Sequence, residues 1–223
     1  MTKILKKGAS PVGLWLKIGP DLALDVLMRD LRQIFRVINA SSYEKNMHTL
    51  EISGPADDAD FRGKAELLFA IGRSNGLACI YRGSPQAAKD MGADGVHVDT
   101  IEDLAKGREL FGEEGIAGIH CGNSPEIAAQ AHDAGADFVS FGVRGPAMPS
   151  PDALRFWTML SEKPALIEGP VTNDYCAFWV QAGAGFIDAG DYIWSHGDGV
   201  MQGTVNMLYA IELALEDQEK SVQ

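Results

Sequence analysis

The chain has 223 residues, 46% of them hydrophobic, which suits one domain around one sizeable core and leaves too little for two. Lys and Arg total 19 against 31 Asp and Glu, a formal charge of −12 with no basic run, so neither a nucleic-acid backbone nor an anionic membrane is an expected partner. Cys79, Cys121 and Cys176 form no Cys-x-x-Cys pair and read as small buried hydrophobes in a reducing cytoplasm, and no segment approaches the roughly 20 apolar residues of a membrane span.

In chain order, Met1-Thr2-Lys3-Ile4-Leu5-Lys6-Lys7 is positively charged, but the apolar stretch behind it is broken by Lys17, Gly19 and Pro20, so a signal peptide is not expected. Leu14 to Ile18 reads as a strand, and Leu27, Leu31, Ile34, Phe35 and Ile38 then share one helical face. Thr49 to Ser53 is the second strand, followed by a helix carrying Phe61, Ala65, Leu68 and Phe69. Strands at Leu77 to Tyr81, Gly95 to Val98, Ile116 to His120 and Phe138 to Phe141 come next. Ser124-Pro125-Glu126 and Ser150-Pro151-Asp152 each place a hydroxyl cap before a proline, the signature of a helix start. Ala165 to Glu168 and Gly185 to Asp188 complete eight strands, and Met201, Val205, Leu208, Ile211 and Leu215 mark a last helix that gives way to a polar tail over 216–223.

Gly92-Ala93-Asp94, Gly135-Ala136-Asp137 and Gly183-Ala184-Gly185 each close a helix and launch a strand, 43 and 48 residues apart, about two βα units. Glycine suits the left-handed turn at a helix end. Eight strands alternating with helices through right-handed crossovers close most naturally into a (β/α)8 TIM barrel, an α/β fold, over residues 10–215 of a single domain spanning 1–223. An open doubly wound sheet is the competing architecture.

Gly92-Ala93-Asp94-Gly95-Val96-His97 resembles the GADGVHL segment of thiamine phosphate synthases, and Gly135-Ala136-Asp137-Phe138-Val139-Ser140-Phe141-Gly142 is similar to their GADYxxxGP strand. The resemblance to this thiamine phosphate synthase and TenI-like family implies a barrel that joins an aminopyrimidine pyrophosphate to a thiazole phosphate, expelling pyrophosphate with Mg2+. Its TenI-like branch implies instead a thiazole tautomerase with a histidine after the fifth strand.

Many contacts that the resemblance implies are replaced. The Gln-Leu-Arg-Glu-Lys that grips pyrophosphate falls on Glu51-Ile52-Ser53-Gly54-Pro55, and the metal-binding Asn-Asp counts to Arg82-Gly83. The second metal carboxylate counts to Glu102, with Asp99 nearby, so Asp99 and Glu102 are the candidate Mg2+ ligands; Glu102 reads equally as a solvated acid in a helix's first turn. The Gly-Pro-x-x-Pro-Thr-x-Thr-Lys run becomes Gly142 to Ser150, with Arg144 its one cation. The phosphate-cup loops read Ile167-Glu168-Gly169-Pro170 and Ala189-Gly190-Asp191, which sets Glu168 and Asp191 where a dianion is expected.

The strand ends gather Lys17, Glu51, Arg82, Asp99, His120, Arg144, Glu168, Asp188 and Asp191, a mixed mouth with an acidic excess suited to a neutral or cationic small molecule. His120 and Glu51 are the catalytic candidates, and Arg82, Arg144, Glu168, Gly169 and Gly190 the substrate contacts. The family histidine counts two residues further, to Gly122, and a plain hydrogen bond to a neighbouring carbonyl is the competing role for His120. His97 reads as packing and hydrogen bonding within its strand, and Ser195 to Gly199 as a flexible loop. The aromatic cluster Phe156, Trp157, Phe178, Trp179 and Trp194 packs on the barrel or forms a homodimer patch. Three functions follow as expectations: a rebuilt synthase, a catalytically degenerate ligand-binding or regulatory barrel, or a tautomerase-like isomerase using His120.

Overall fold

Alternating side chains along eight short strands wrap one sheet onto itself in a computed structural model, which describes residues 12–20, 23–40, 48–142 and 149–221. The strands are β1 (Gly13–Ile18), β2 (Thr49–Ser53), β3 (Ala78–Arg82), β4 (Gly95–Val98), β5 (Ile116–His120), β6 (Phe138–Phe141), β7 (Ala165–Ile167) and β8 (Phe186–Asp188). All pair in parallel in sequence order, and β8 closes on β1 through Trp15 opposite Asp188. The open doubly wound sheet is thereby set aside.

Between them lie α1 (Leu24–Ala40), α2 (Ala59–Ser74), α3 (Pro85–Asp90), α4 (Ile101–Phe111), α5 (Pro125–Asp133), α6 (Pro151–Leu160), α7 (Asn173–Gln181), the short α8 (Gly190–Trp194) and α9 (Val200–Ser221). Outward positions such as Leu14, Leu16, Leu50, Ile52, Val96, Val139 and Ile187 pack under Leu31, Ile34, Phe69, Trp157 and Trp179 of the helices. Each such fully buried side chain contributes about 1.5–3 kcal/mol. Inward positions near the amino ends make a second, smaller cluster of Trp15, Ala78, Ile80, Ile116, Phe138, Leu166 and Phe186, the apolar floor of the lumen. Gly118 is needed there, because a Cβ would lie 2.1 Å from the Phe138 ring.

The three helix-to-strand glycines adopt the expected left-handed turn, with φ of 69° at Gly92, 77° at Gly135 and 99° at Gly183. Ser124 caps α5 by accepting the Ile127 N–H at 3.2 Å, as its sequence position predicts. Ser150 stands before α6 but its side chain makes no capping bond; its N–H donates instead to Asn123 Oδ1 at 2.8 Å.

Several boundaries move. β3 runs one residue later than predicted and so ends on Arg82, while Glu168 lies just past β7 and Gly185 just before β8. The expected polar tail is helical through Ser221, because α9 packs on α1 and α7 and carries its polar residues outward. The Ser195 to Gly199 stretch is a turn tied down locally: His196 Nδ1 accepts the Asp198 N–H at 3.1 Å. Of the five aromatics, Trp157 and Trp179 are buried and Phe178 is half exposed, while the Trp194 indole donates to the Lys17 carbonyl at 2.6 Å. No helix among the described residues is long and apolar enough to cross a membrane. Met1 to Lys7 lies outside the described residues.

Candidate active site

Beyond the apolar floor, toward the carboxyl ends of the strands, the lumen is lined by polar side chains. β1 brings Lys17, β2 Glu51, β3 Arg82, β4 His97, β5 His120, β6 Ser140 and β8 Asp188, while Glu168 follows β7. The strand register sets their neighbours, with Lys17 opposite Glu51, Arg82 opposite His97 and His120 opposite Ser140. Side chains at successive inward positions share one face of a strand, so a single period-2 rule places all eight at the carboxyl-terminal end.

The cations are already paired. Lys17 Nζ bonds Glu168 and lies 2.8 Å from Asp188, while Arg82 donates to Glu168 Oε2 at 2.7 Å and to Asp99 Oδ1 at 3.1 Å. Burial alone would lower Lys17, but Asp188, Glu51 and Glu168 raise it well above the usual ammonium range. Burial would raise Glu168, but the hydrogen bond from His120 and the neighbouring His97, Lys17 and Arg82 outweigh it and hold the carboxyl well below its usual range. Glu51 is lowered for similar reasons, its burial outweighed by His97 and Lys17. At Asp188 burial wins over the Lys17 ammonium and pushes the carboxyl up to about 6.

A chain of hydrogen bonds crosses the lumen beneath these ion pairs. Glu51 Oε2 accepts from the Trp15 indole at 3.0 Å and lies 2.7 Å from His97 Nδ1. His97 Nε2 is 3.0 Å from Ser140 Oγ, and the same oxygen is 3.0 Å from His120 Nδ1. His120 Nδ1 is also 3.0 Å from Glu168 Oε1. His97 is fully buried between Trp15 and Phe138, whose ring centroids lie 6.3 and 5.1 Å away, whereas the His120 side chain keeps 16% of its exposure.

The structure thus brings together Glu51, Arg82, His120 and Glu168 of the sequence candidates. His120 bonds a serine and a carboxylate rather than a backbone carbonyl. Gly169 follows directly at φ 147°, its carbonyl accepting the Val171 N–H at 2.7 Å. The Gly190 N–H is spent on Asp188 Oδ1 at 3.1 Å, so it is not free to cradle a phosphate. Asp191 is exposed in the first turn of α8, and Glu168 turns toward the cations instead of confronting it. Arg144 lies outside the described residues.

The expected Mg2+ pair is not assembled. Glu102 is 80% exposed in the first turn of α4 and bonds Lys106 at 2.8 Å, one helical turn on, while Asp99 faces Arg82. Thr100 caps that helix from the Asp103 N–H, so Glu102 belongs to the solvent face of α4. Among the described residues no three His, Cys, Asp or Glu side chains gather, and each of the two candidate carboxylates already faces a cation, Asp99 facing Arg82 and Glu102 facing Lys106, an arrangement that does not fit the ion.

His97 and Ser140 are the site residues that sequence reasoning missed. Their signal was present in the period-2 alternation: Ser140 stands two residues after the floor residue Phe138, and His97 two residues after Gly95, the first residue of β4.

The sequence model described as Thiamine monophosphate synthase matches residues 40–163. The chain is 34% identical over 141 residues to the thiamine-phosphate synthase of Erythrobacter litoralis, covering 59% of this chain and 66% of that protein. With the thiamine-phosphate synthase of Rhodospirillum centenum it shares 31% over 158 residues, 67% of this chain and 76% of that protein. In fold it is similar to thiamine phosphate pyrophosphorylase from Pyrococcus furiosus, at TM-score 0.70 and 16% identity over 92% of this chain and 98% of that one. The 3-hexulose-6-phosphate synthase of Salmonella typhimurium is similar too, at TM-score 0.68 and 14% identity over 90% and 99%. At such identities these structures speak for the barrel alone.

Proposed function

This chain belongs to the thiamine monophosphate synthase family, and from that membership we propose that it serves thiamine metabolism as an acid–base catalyst of the tautomerase type, moving a proton on a small ring ligand through His120. The supporting observation is the setting of that imidazole, whose Nδ1 is held 3.0 Å from both Ser140 and Glu168 at the mouth. An oriented imidazole backed by a carboxylate is the arrangement proton transfer needs: the ring's other nitrogen meets the ligand, and the carboxylate stabilises the imidazolium that forms.

Expulsion of pyrophosphate makes a different demand, for unspent positive charge. Lys17 and Arg82 are committed to Glu168, Asp188 and Asp99, so a dianion entering the mouth competes with three carboxylates for two cations. A neutral or cationic ring pays no such penalty.

The second reading, synthesis of thiamine phosphate from the aminopyrimidine pyrophosphate and the thiazole phosphate, is favoured by the 34% identity to a protein of that name. One set of assays separates them. Given both precursors and Mg2+, the protein is expected to release no pyrophosphate above buffer. Given the thiazole as its free alcohol, without the phosphate, in deuterated water, it is expected to exchange a ring proton for deuterium, and His120→Ala should slow that exchange by about 10²–10⁴-fold. Pyrophosphate release would establish the synthase reading, and binding without either reaction would leave a ligand-holding barrel.

A further inference from the structure

We infer that Ser140 joins His97 and His120 into a proton relay anchored on Glu51, one that sets the resting tautomer of His120 and gives the proton it collects a buried place to go. The inference rests on the reading of His120 as the acid–base group.

The assignment comes from matching donors to acceptors. Ionised Glu51 only accepts, so His97 Nδ1, 2.7 Å from Oε2, carries a hydrogen. Neutral His97 then has a lone pair on Nε2, facing Ser140 Oγ at 3.0 Å. The serine has one proton, and it goes to that lone pair. Its own oxygen is left to accept from His120 Nδ1–H, which also faces Glu168 Oε1 at 3.0 Å. With both rings neutral, this pattern satisfies every group and leaves the lone pair of His120 on Nε2. The opposite tautomer would set the Nδ1 lone pair against the Glu168 carboxylate.

Proton uptake then has a balanced continuation. His120 Nε2 takes a proton from the ligand; Nδ1 passes its own to Ser140 Oγ, while the serine proton moves to His97 Nε2. His120 ends neutral with its hydrogen on Nε2, and His97 ends as an imidazolium against Glu51, with Glu168 Oε1 3.8 Å from its Nε2. Lys17 and Arg82 oppose the added charge, while Glu51, Glu168, Asp188 and Asp99 favour it. The unfavourable Nδ1–Glu168 contact makes this state short-lived, so the proton returns to the mouth by the same path. His97 is fully buried, so the stored proton is shielded from solvent.

Nitrogen NMR of the full chain, labelled in its histidine rings, tests the relay without a ligand. In the wild type at mildly alkaline pH both rings should show hydrogen on Nδ1, and on acidification their signals should move together. Ser140→Ala should abolish that joint movement, and Ser140→Thr, which keeps the hydroxyl, should restore it. A resting His120 with hydrogen on Nε2, wild-type rings that move independently, or joint movement that survives Ser140→Ala would overturn the inference. The wild-type spectra decide the matter even where a variant fails to fold. No turnover is read, so a failed relay and a failed deuterium exchange are separate results.

Discussion

The two ends of this barrel are built on different principles. At the amino-terminal end one device is used twice: Asp94 accepts the Cys79 N–H at 2.8 Å and Asp137 the Ala117 N–H at 2.9 Å, each acid following a left-handed glycine. Arg73 lies 3.5 Å from Asp94, and Arg108 bonds Asp137, so an arginine from a neighbouring helix completes each copy. The carboxyl-terminal end has no such repeat. There the lumen holds Lys17, Glu51, Arg82, His97, His120, Ser140, Glu168 and Asp188, joined by ion pairs and hydrogen bonds into one network. The Gly-Ala-Asp openings of the strings that carry the family resemblance serve the floor, where they tie helix ends to strands, and the same strings run on to His97 and Ser140 in the mouth. Chemistry belongs to the mouth, which is why membership in the family and retention of its reaction are separable questions.

Breaking the mouth should cost most. Glu168→Gln removes the charge shared by Lys17, Arg82 and His120, and is expected to destabilise the barrel by roughly 2–3 kcal/mol, less than for a fully dry pair because these groups keep some exposure. Guanidinium unfolding measures it, and an unchanged midpoint would mean that the network is not structural.

Asp188 offers a pH signature. Its unfolded carboxyl titrates near the ordinary value of about 3.9, and its folded one at about 6. The folded state therefore holds the proton more tightly, and this contribution to stability, full at low pH, is lost as pH rises through about 6. Glu51 and Glu168, lowered in the folded state, act in the opposite direction in both proteins, and their own loss of stability falls at lower pH than the Asp188 window. Asp188→Asn should thus gain on the wild type as pH rises to about 6 and hold a constant difference above it. A difference flat across the whole range would contradict the raised carboxyl.

The floor should break more gently. Asp137→Ala leaves the Ala117 N–H without its side-chain acceptor and is expected to cost about 1–2 kcal/mol in urea unfolding, with the ring signals of His120 unmoved. Movement of those signals would show that the two ends are coupled. Smallest of all is Glu102→Ala, which removes an exposed pair with Lys106 and is expected to leave both the melting temperature and its response to Mg2+ unchanged. An altered Mg2+ response would return Glu102 to the site.

Much of the fold was legible because it follows local rules. Alternation along short runs located the eight strands to within about one residue, and glycines after helices located the turns that launch β4, β6 and β8. The α9 boundary was not, since Glu216 and its neighbours read as a tail until packing on α1 and α7 continues the helix to Ser221. Of the site, His120, Glu51, Arg82 and Glu168 stood out as ionisable residues at strand ends, whereas His97 and Ser140 looked like ordinary strand residues.

By itself, then, the amino-acid order determined how many strands form, which side chains of each point inward and that acids outnumber bases among them, because these depend on periodicity and composition along the chain. Only closure of the barrel decided which inward side chains meet. Glu51 and His97 are 46 residues apart, and Ser140 and His120 are 20 apart. The height at which each strand stands against the others depends on how all eight fit into one ring, so contacts across the lumen exist only once the sheet is complete.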